Sequence, residues 1–196
     1  MPNSVRVLLD ANVLYSNHLR NLLLQMAQND LFDAKWSALI EEEWLRNMEP
    51  RLRERIELRT LPLIRTWFTD AWVTGFDPAR EVGKTDVKDR HVAAAATAIA
   101  PCVLVTNNRR HFDTQVLQAQ SVVVRSPDEF LCDLFEANPE AVEATTHEAA
   151  TNLTKTCPTW DSYLDSLANR CSLVRFVELL RIWIPGEKEG HSIREL

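Results

Sequence analysis

Glycine is scarce in this chain, and its scarcity limits how the protein can handle phosphate. The 196 residues include four glycines, and none lies before Gly75. A loop that cradles phosphate with its backbone, as in P-loop and dinucleotide-binding proteins, needs closely spaced glycines between a strand and a helix. Both signatures are absent, so any phosphate chemistry must rely on side chains.

Cysteine pairs, long apolar runs and net positive charge are also lacking. The four cysteines show no CxxC spacing, which favours reduced thiols and a cytoplasmic location. We expect no signal peptide, and the longest weakly polar stretch, 93–106, is broken by Pro101 and is too short to span a membrane. The formal net charge is −6, so a surface that binds nucleic acid must be local.

Short apolar runs alternate with helical patterns, which predicts an α/β protein with a parallel sheet. The helical pattern over 51–68 is interrupted near Pro62, where we expect a break. The runs that favour strands are 5–9, 32–36, 71–76, 102–106 and 121–124.

The character of the sequence changes at Asn138, after which no strand pattern remains. Helices are predicted at 139–154, 160–170 and 172–184. The predicted organisation is a sheet domain at 1–136, a helical C-terminal extension at 137–184 and a flexible tail at 185–196.

Asp10 directly follows the first apolar run, at the predicted carboxyl end of a strand. Open α/β sheets bind ligands in the crevice beyond these strand ends. An Asp here could equally cap the helix that follows, and on this segment alone capping is the better-supported role. Asn12 follows two residues later.

Glu43 is the second candidate acid. At 100° per residue it falls beside Leu39 and Ile40 on the apolar face of the predicted helix, whereas Glu41 and Glu42 fall on the solvated side. A carboxylate on a buried face is costly unless it is paired or bound to a cation.

Asp86 and Asp89 open an alanine-rich helical pattern and share one side of its start. Both suit a helix N-terminus, where Asp86 could be the cap and Asp89 could complement the helix dipole. Thr106 and Asn108 follow the fourth apolar run, where they could bind metal-bound water or phosphate, or simply form a turn.

Considered together, these residues predict a metal site at one edge of the sheet. Parallel strands bring Asp10, Thr106 and Asn108 to the same edge, which the helix start at Asp89 could reach. Clustered carboxylates raise one another's pKa values unless a cation lies between them. Oxygen donors without His or Cys spacing suit Mg²⁺ or Mn²⁺.

Four short motifs resemble those of PIN-domain nucleases, in the same order along the chain, over residues 4 to about 135. They are the segment 9–14, the helix acid Glu43, the segment 86–92 and the segment 105–108. The resemblance implies a three-layer α/β/α fold with a central parallel sheet of about five strands. It also implies a Mg²⁺- or Mn²⁺-dependent ribonuclease that hydrolyses RNA phosphodiesters, often the VapC-type toxin of a bacterial toxin–antitoxin pair. Such proteins are often homodimers, and their protein partner is an antitoxin.

Carried over residue by residue, Asp10, Glu43 and Asp89 match the three main metal-binding, catalytic acids, and Asp86 matches an accessory acid. Asn12, Thr106 and Asn108 take supporting positions. Many family members have an acid where this chain has Asn108, which leaves open the number of metals and keeps a non-catalytic RNA- or protein-binding module as the alternative. Asp113 could replace the missing acid.

An arginine-rich segment and two histidines complete the candidates. Arg46, Arg51 and Arg53 belong to a group of six arginines in 46–65 that could meet an RNA backbone or could form ion pairs on a solvated helix. His91 and His111 flank the predicted site, but neither has ligand spacing, so we assign them no catalytic role.

Overall fold

A single parallel sheet forms the centre of the computed structural model, which describes residues 5–183. Its strands lie in the order β2–β1–β3–β4. They are β1 (Arg6–Leu9), β2 (Asp33–Lys35), β3 (Cys102–Val105) and β4 (Val122–Arg125). Because every pairing is parallel, the carboxyl ends of all four strands meet at one edge.

Helices cover both faces of the sheet. Val7, Leu8 and Leu9 are completely buried, and neighbouring side chains of a strand point to opposite faces. The α-helices of the described region are α1 (Ala11–Tyr15), α2 (Asn17–Gln28), α3 (Ala38–Arg46), α4 (Pro50–Trp67), α5 (Arg90–Ala98), α6 (Thr114–Ala119), α7 (Pro127–Ala137), α8 (Pro139–Thr151), α9 (Trp160–Cys171) and α10 (Val174–Ile182). The predicted α/β class with a PIN-like parallel sheet is confirmed.

The predicted number of strands was too high by one, because 71–76 does not form a strand. Trp72 makes an isolated parallel bridge to Trp36 beside the β2 edge. The chain then leaves the sheet, and Gly75 turns it with a φ of +74° that extended backbone does not have. Edge-to-face contact between the two indole rings anchors this short bridge.

Pro62 does not interrupt α4, contrary to the prediction. The helix is continuous from Pro50 to Trp67, with Pro62 inside it. Leu61 and Ile64 on either side of the proline are buried in the core, and their packing holds the helix in place despite the missing backbone donor.

The last three helices pack against the sheet domain. Asn21 of α2 donates to the carbonyl of Ala149 in α8 over 2.7 Å, and the rings of Phe135 in α7 and Phe176 in α10 meet edge to face. The helix predicted at 172–184 is seen as Val174–Ile182, while residue 184 and the predicted tail at 185–196 lie outside the described residues. Within 5–183, no helix is both long and apolar enough to cross a membrane.

Candidate metal centre

Asp10 lies at the carboxyl end of β1 and is 2% exposed. Its backbone N–H extends the pairing with β3 by donating to the carbonyl of Val105. Its side chain caps α1, because Oδ1 accepts from the N–H of Ala11 over 2.6 Å. The two roles expected for Asp10, strand-end acid and helix cap, are therefore compatible in one residue.

Thr106 and Asn12 hold the other oxygen of Asp10. Thr106, completely buried at the end of β3, donates its hydroxyl to Oδ2 over 2.6 Å. Asn12 donates its side-chain amide to the same oxygen, and its own Oδ1 accepts from the N–H of Asn107 over 3.0 Å. Asn108 contributes its backbone N–H, which donates to the Thr106 hydroxyl. The predicted supporting residues are thus brought together at the sheet edge.

Burial raises the pKa of Asp10 to about 6. The hydrogen bonds from Thr106 and Ala11 oppose this rise, whereas the negative charges of Asp89 and Glu43 add to it. Asp10, Glu43 and Asp89 are therefore close enough to repel one another electrostatically. A cation placed among them would relieve this repulsion.

Glu43 reaches the site from α3, but it is not the buried acid of that helix. Its side chain is 32% exposed, while Glu41 is 5% exposed and pairs with Arg65 over 2.6 Å. Leu39 is 40% exposed. The predicted apolar face is therefore confirmed at Ile40, which is completely buried, but wrong at Leu39, since Glu41 rather than Leu39 faces the interior.

His91 of α5 lies against Glu43. Its Nε2 is 3.2 Å from Oε2 of Glu43, although the ring N–H is not aligned for a hydrogen bond. Burial lowers the pKa of His91, but the proximity of Glu43 and then of Asp10 outweighs burial, so the net pKa is raised. This imidazole therefore lies within the electrostatic field of two of the three predicted acids.

Of the two acids at the start of α5, Asp86 acts as a cap and Asp89 does not. Asp86 caps the short 3-10 turn over 87–89 by accepting from the N–H of Lys88. Asp89 makes no side-chain cap to α5; instead its Oδ2 lies 3.1 Å from Nδ1 of His111. Burial raises the pKa of Asp89, the contact with His111 opposes that rise, and the charges of Asp86 and Glu43 reinforce it.

His111 lies beside these acids, although the sequence analysis gave it no role. One ligand atom from each of Asp86, Asp89 and His111 lies within 4.8 Å of the other two, which is close enough for a shared metal ion. Within residues 5–183, Asp10 and Glu43 do not belong to this group. Ligand spacing could not reveal His111, because the loop after β3 brings it to Asp89 from 22 positions away.

Asp113 does not replace the missing fourth acid, because its carboxylate is already used. Oδ2 accepts from the N–H of Lys84 over 2.9 Å, and Oδ1 caps α6 by accepting from Val116. Hydrogen bonds from these backbone N–H groups lower its pKa. Asp113 thus joins the start of α6 to the loop that leads into Asp86.

The arginines predicted to bind RNA lie at and after the end of α3. Arg46 and Arg51 are exposed. Arg53 is half-buried and pairs with Glu57 one turn along α4 over 2.8 Å. Arg46 shares α3 with the site acid Glu43 and is three residues further along that helix.

Two comparisons show which known proteins this chain is similar to. The family model described as the VapC50 C-terminal domain matches residues 127–182. A Mycobacterium tuberculosis relative named "Putative ribonuclease VapC50" is 34% identical over 76 residues, which is 39% of this chain. The resemblance to VapC-like PIN nucleases is confirmed. The matched segment spans 45% of the length of that relative. No solved structure matches this chain significantly.

Proposed function

We propose that this protein is a metal-dependent endoribonuclease that hydrolyses RNA phosphodiester bonds. The observation that carries this proposal is the raised pKa of Asp10, which burial causes and to which the negative charges of Asp89 and Glu43 add. Its similarity to a protein named as a ribonuclease supports RNA as the substrate.

The donor set fits a divalent cation such as Mg²⁺ or Mn²⁺. Asp10, Glu43 and Asp89 supply carboxylate oxygens, and Asp86 is close enough to Asp89 to share an ion with it. Hard divalent cations prefer such oxygen ligands. When bound, the ion would polarise a phosphoryl oxygen and lower the pKa of a water molecule so that it can attack phosphorus.

The chain's own residues prepare the site for this chemistry. Thr106 and Asn12 fix the orientation of the Asp10 carboxylate through their hydrogen bonds to Oδ2. Asn108 supports the Thr106 hydroxyl in turn. A site held in this way needs little rearrangement during reaction, which is the general condition for electrostatic catalysis.

Arg46, Arg51 and Arg53 would bind the RNA backbone beside the acids. The guanidinium group matches phosphate geometry and keeps its charge at every relevant pH. On a protein with a net charge of −6, such a local basic surface would guide the RNA toward the acidic edge.

The biological role that follows is the toxin of a bacterial toxin–antitoxin pair acting in the cytoplasm. The VapC name of the similar protein supports this role, and it implies an antitoxin partner and a homodimer. The helical extension proposed for 137–184 overlaps the segment that matches the VapC50 C-terminal domain.

Cleavage of single-stranded RNA by the full chain, with Mn²⁺ or Mg²⁺ supplied separately, tests the proposal. Asp10→Asn, Glu43→Gln and Asp89→Asn should each abolish cleavage while circular dichroism shows an unchanged fold. Glu42→Gln is the matched control, since Glu42 is exposed and adjoins Glu43 on the same helix, and this variant should cleave normally.

One observation favours the non-catalytic alternative, in which the fold binds RNA or a protein without cutting. The Asp10 carboxylate is already occupied by donors from Ala11, Thr106 and Asn12, as a purely structural cap would be. Under this alternative neither ion binds at millimolar concentration, and RNA binding survives the Asp10→Asn change. Metal-dependent cleavage that the three acid variants lose would exclude it.

A further inference from the structure

We propose that His111 is a nitrogen ligand of the metal centre, beside Asp86 and Asp89, and that it makes the centre prefer Mn²⁺ to Mg²⁺. The inference rests on the proposed function only in that the acidic edge holds a divalent cation. It goes further by adding an imidazole to a donor set that the sequence motifs describe as carboxylate oxygens.

The spacing of the donor atoms suits ligation. Nδ1 of His111 lies 3.1 Å from Oδ2 of Asp89. In an octahedral site with bonds of about 2.1 Å, adjacent ligand atoms lie about 3 Å apart. A carboxylate oxygen of Asp86 lies within 4.8 Å of both atoms, so the three donors converge on one small volume.

The backbone holds His111 in this position independently of its side chain. The N–H of Asp86 donates to the carbonyl of His111 over 2.8 Å, which ties the loop after β3 to the segment that carries both acids. Next to it, buried Phe112 anchors the same loop in the core. The imidazole is therefore delivered to the acids by the fold, and its side chain is partly exposed, at 33%.

The nitrogen donor determines which ion is preferred. Mg²⁺ takes oxygen ligands almost exclusively and gives up its water reluctantly. Imidazole suits transition ions, whereas carboxylate and water suit Mn²⁺ as well as Mg²⁺. Of the two candidate ions, Mn²⁺ is the transition ion, so it accepts the mixed set of nitrogen and oxygen donors more readily than Mg²⁺ does. If His111 only donated a hydrogen bond to Asp89, it would orient that carboxylate without making the centre prefer Mn²⁺ to Mg²⁺.

Pulsed electron paramagnetic resonance of the full chain loaded with Mn²⁺ distinguishes a ligand from a mere neighbour. A directly bonded imidazole produces ¹⁴N modulation of the electron spin echo. We expect this modulation in the wild type and its loss in His111→Asp, which keeps an oxygen donor. The ratio of the Mg²⁺ to the Mn²⁺ dissociation constant should fall by at least about tenfold in that variant. Tenfold is the lower end of the loss in metal affinity that follows when residues supporting the ligands are changed.

His91→Gln and His147→Gln are the control variants. His91 lies near the acids against Glu43, and His147 lies on α8, so both should keep the modulation. His111→Gln provides a second variant if His111→Asp does not fold. The proposal is overturned if the wild type shows no ¹⁴N modulation, if the modulation survives both His111 changes, or if His91→Gln removes it instead.

RNA cleavage measured on the same samples separates the two proposals. Suppose that the wild type shows ¹⁴N modulation but cleaves no RNA, and that His111→Asp removes the modulation. His111 would then remain a metal ligand, and the nuclease function would be refuted. Metal-dependent cleavage without ¹⁴N modulation would do the reverse.

Discussion

The hydroxyl of Thr106 donates to Oδ2 of Asp10 over 2.6 Å and so joins the ends of the neighbouring strands β3 and β1. Both residues are buried, at 0% and 2% exposure. A hydrogen bond to an ionised carboxylate is stronger than one between neutral groups, and burial shields it from water. The central two strands of the sheet therefore fix the position of the site's most buried acid.

Replacing this donor should weaken metal binding through Asp10. In Thr106→Val the carboxylate loses the hydrogen bond that opposes the rise in its pKa, so more of it is protonated at a given pH. We expect the pH at which Mn²⁺ binding is half-maximal to move upward, and the free energy of unfolding to fall by about 1–3 kcal/mol. Thr106→Ser, which keeps the hydroxyl, should behave like the wild type. Superimposable binding curves for the Val and Ser variants would contradict the assigned role.

The buried Asp10 charge should also make the metal-free protein less stable at neutral pH. Its pKa rises from 3.8 to about 6 on folding, so between these values the folded state binds more protons than the unfolded state. Stability then falls as pH rises through this window. The cost above pH 6 is at most about 3 kcal/mol.

Asp10→Asn removes that charge, and it should stabilise the metal-free protein at pH 7.5 but not at pH 3.5. Urea unfolding in the presence of a chelator measures both values, and Glu42→Gln, an exposed acid lost from the same protein, is the control. Equal changes in stability at the two pH values would show that the Asp10 charge carries no such cost. The same variant should lose metal binding, as the proposed site requires.

The sequence was a good guide wherever a residue's place follows from the strand it ends. Asp10 and Thr106 follow short apolar runs, and parallel pairing alone brings such ends together. The start of α8 was predictable for a similar reason, since Asn138 and Pro139 mark it. The local sequence was sufficient in both cases, because no contact with a distant residue changes where the strand ends or where the helix begins.

The sequence was a poor guide wherever a distant partner decides the outcome. Glu41 is buried because Arg65, from α4, pairs with it, and no local pattern on α3 reports that partner. His111 joins Asp89 through a loop, and Asp113 is committed to Lys84 through another. These contacts depend on how the loops fold back, which helical periodicity does not encode.

Gly83 should be intolerant of any side chain, because the loop that positions Asp86 depends on it. A Cβ at this residue would lie 2.4 Å from Oδ2 of Asp113, the oxygen that holds the N–H of Lys84. Its φ of +56° adds strain for any other residue. We expect Gly83→Ala to weaken Mn²⁺ binding and to lower the unfolding free energy by more than about 2 kcal/mol, since clash and backbone strain add.

Gly75→Ala is the matched control for backbone strain without a clash. Gly75 also has a positive φ, of +74°, but a Cβ there would meet nothing within 4 Å. This variant should lose only about 1–2 kcal/mol and should bind Mn²⁺ normally. If both glycine variants bind Mn²⁺ like the wild type, Asp113 does not position the loop that carries Asp86.

Asp128 should stabilise the last helix from a distance. The N-cap residue of α10, Leu173, has no side-chain cap; instead the Asp128 carboxylate of α7 accepts from the N–H groups of Arg175 and Phe176, at 3.3 and 3.0 Å. Asp128→Ala should therefore cost about 0.5–2 kcal/mol, as the loss of a cap does, and hydrogen exchange should quicken at those two amides. The control is Asp133→Ala. Asp133 lies on α7, like Asp128, and forms an exposed ion pair with Arg125 of β4. Its loss should change stability by less than about 1 kcal/mol and leave the hydrogen exchange of both amides unchanged. Equal exchange in the two variants would mean that α10 is held by its apolar packing alone.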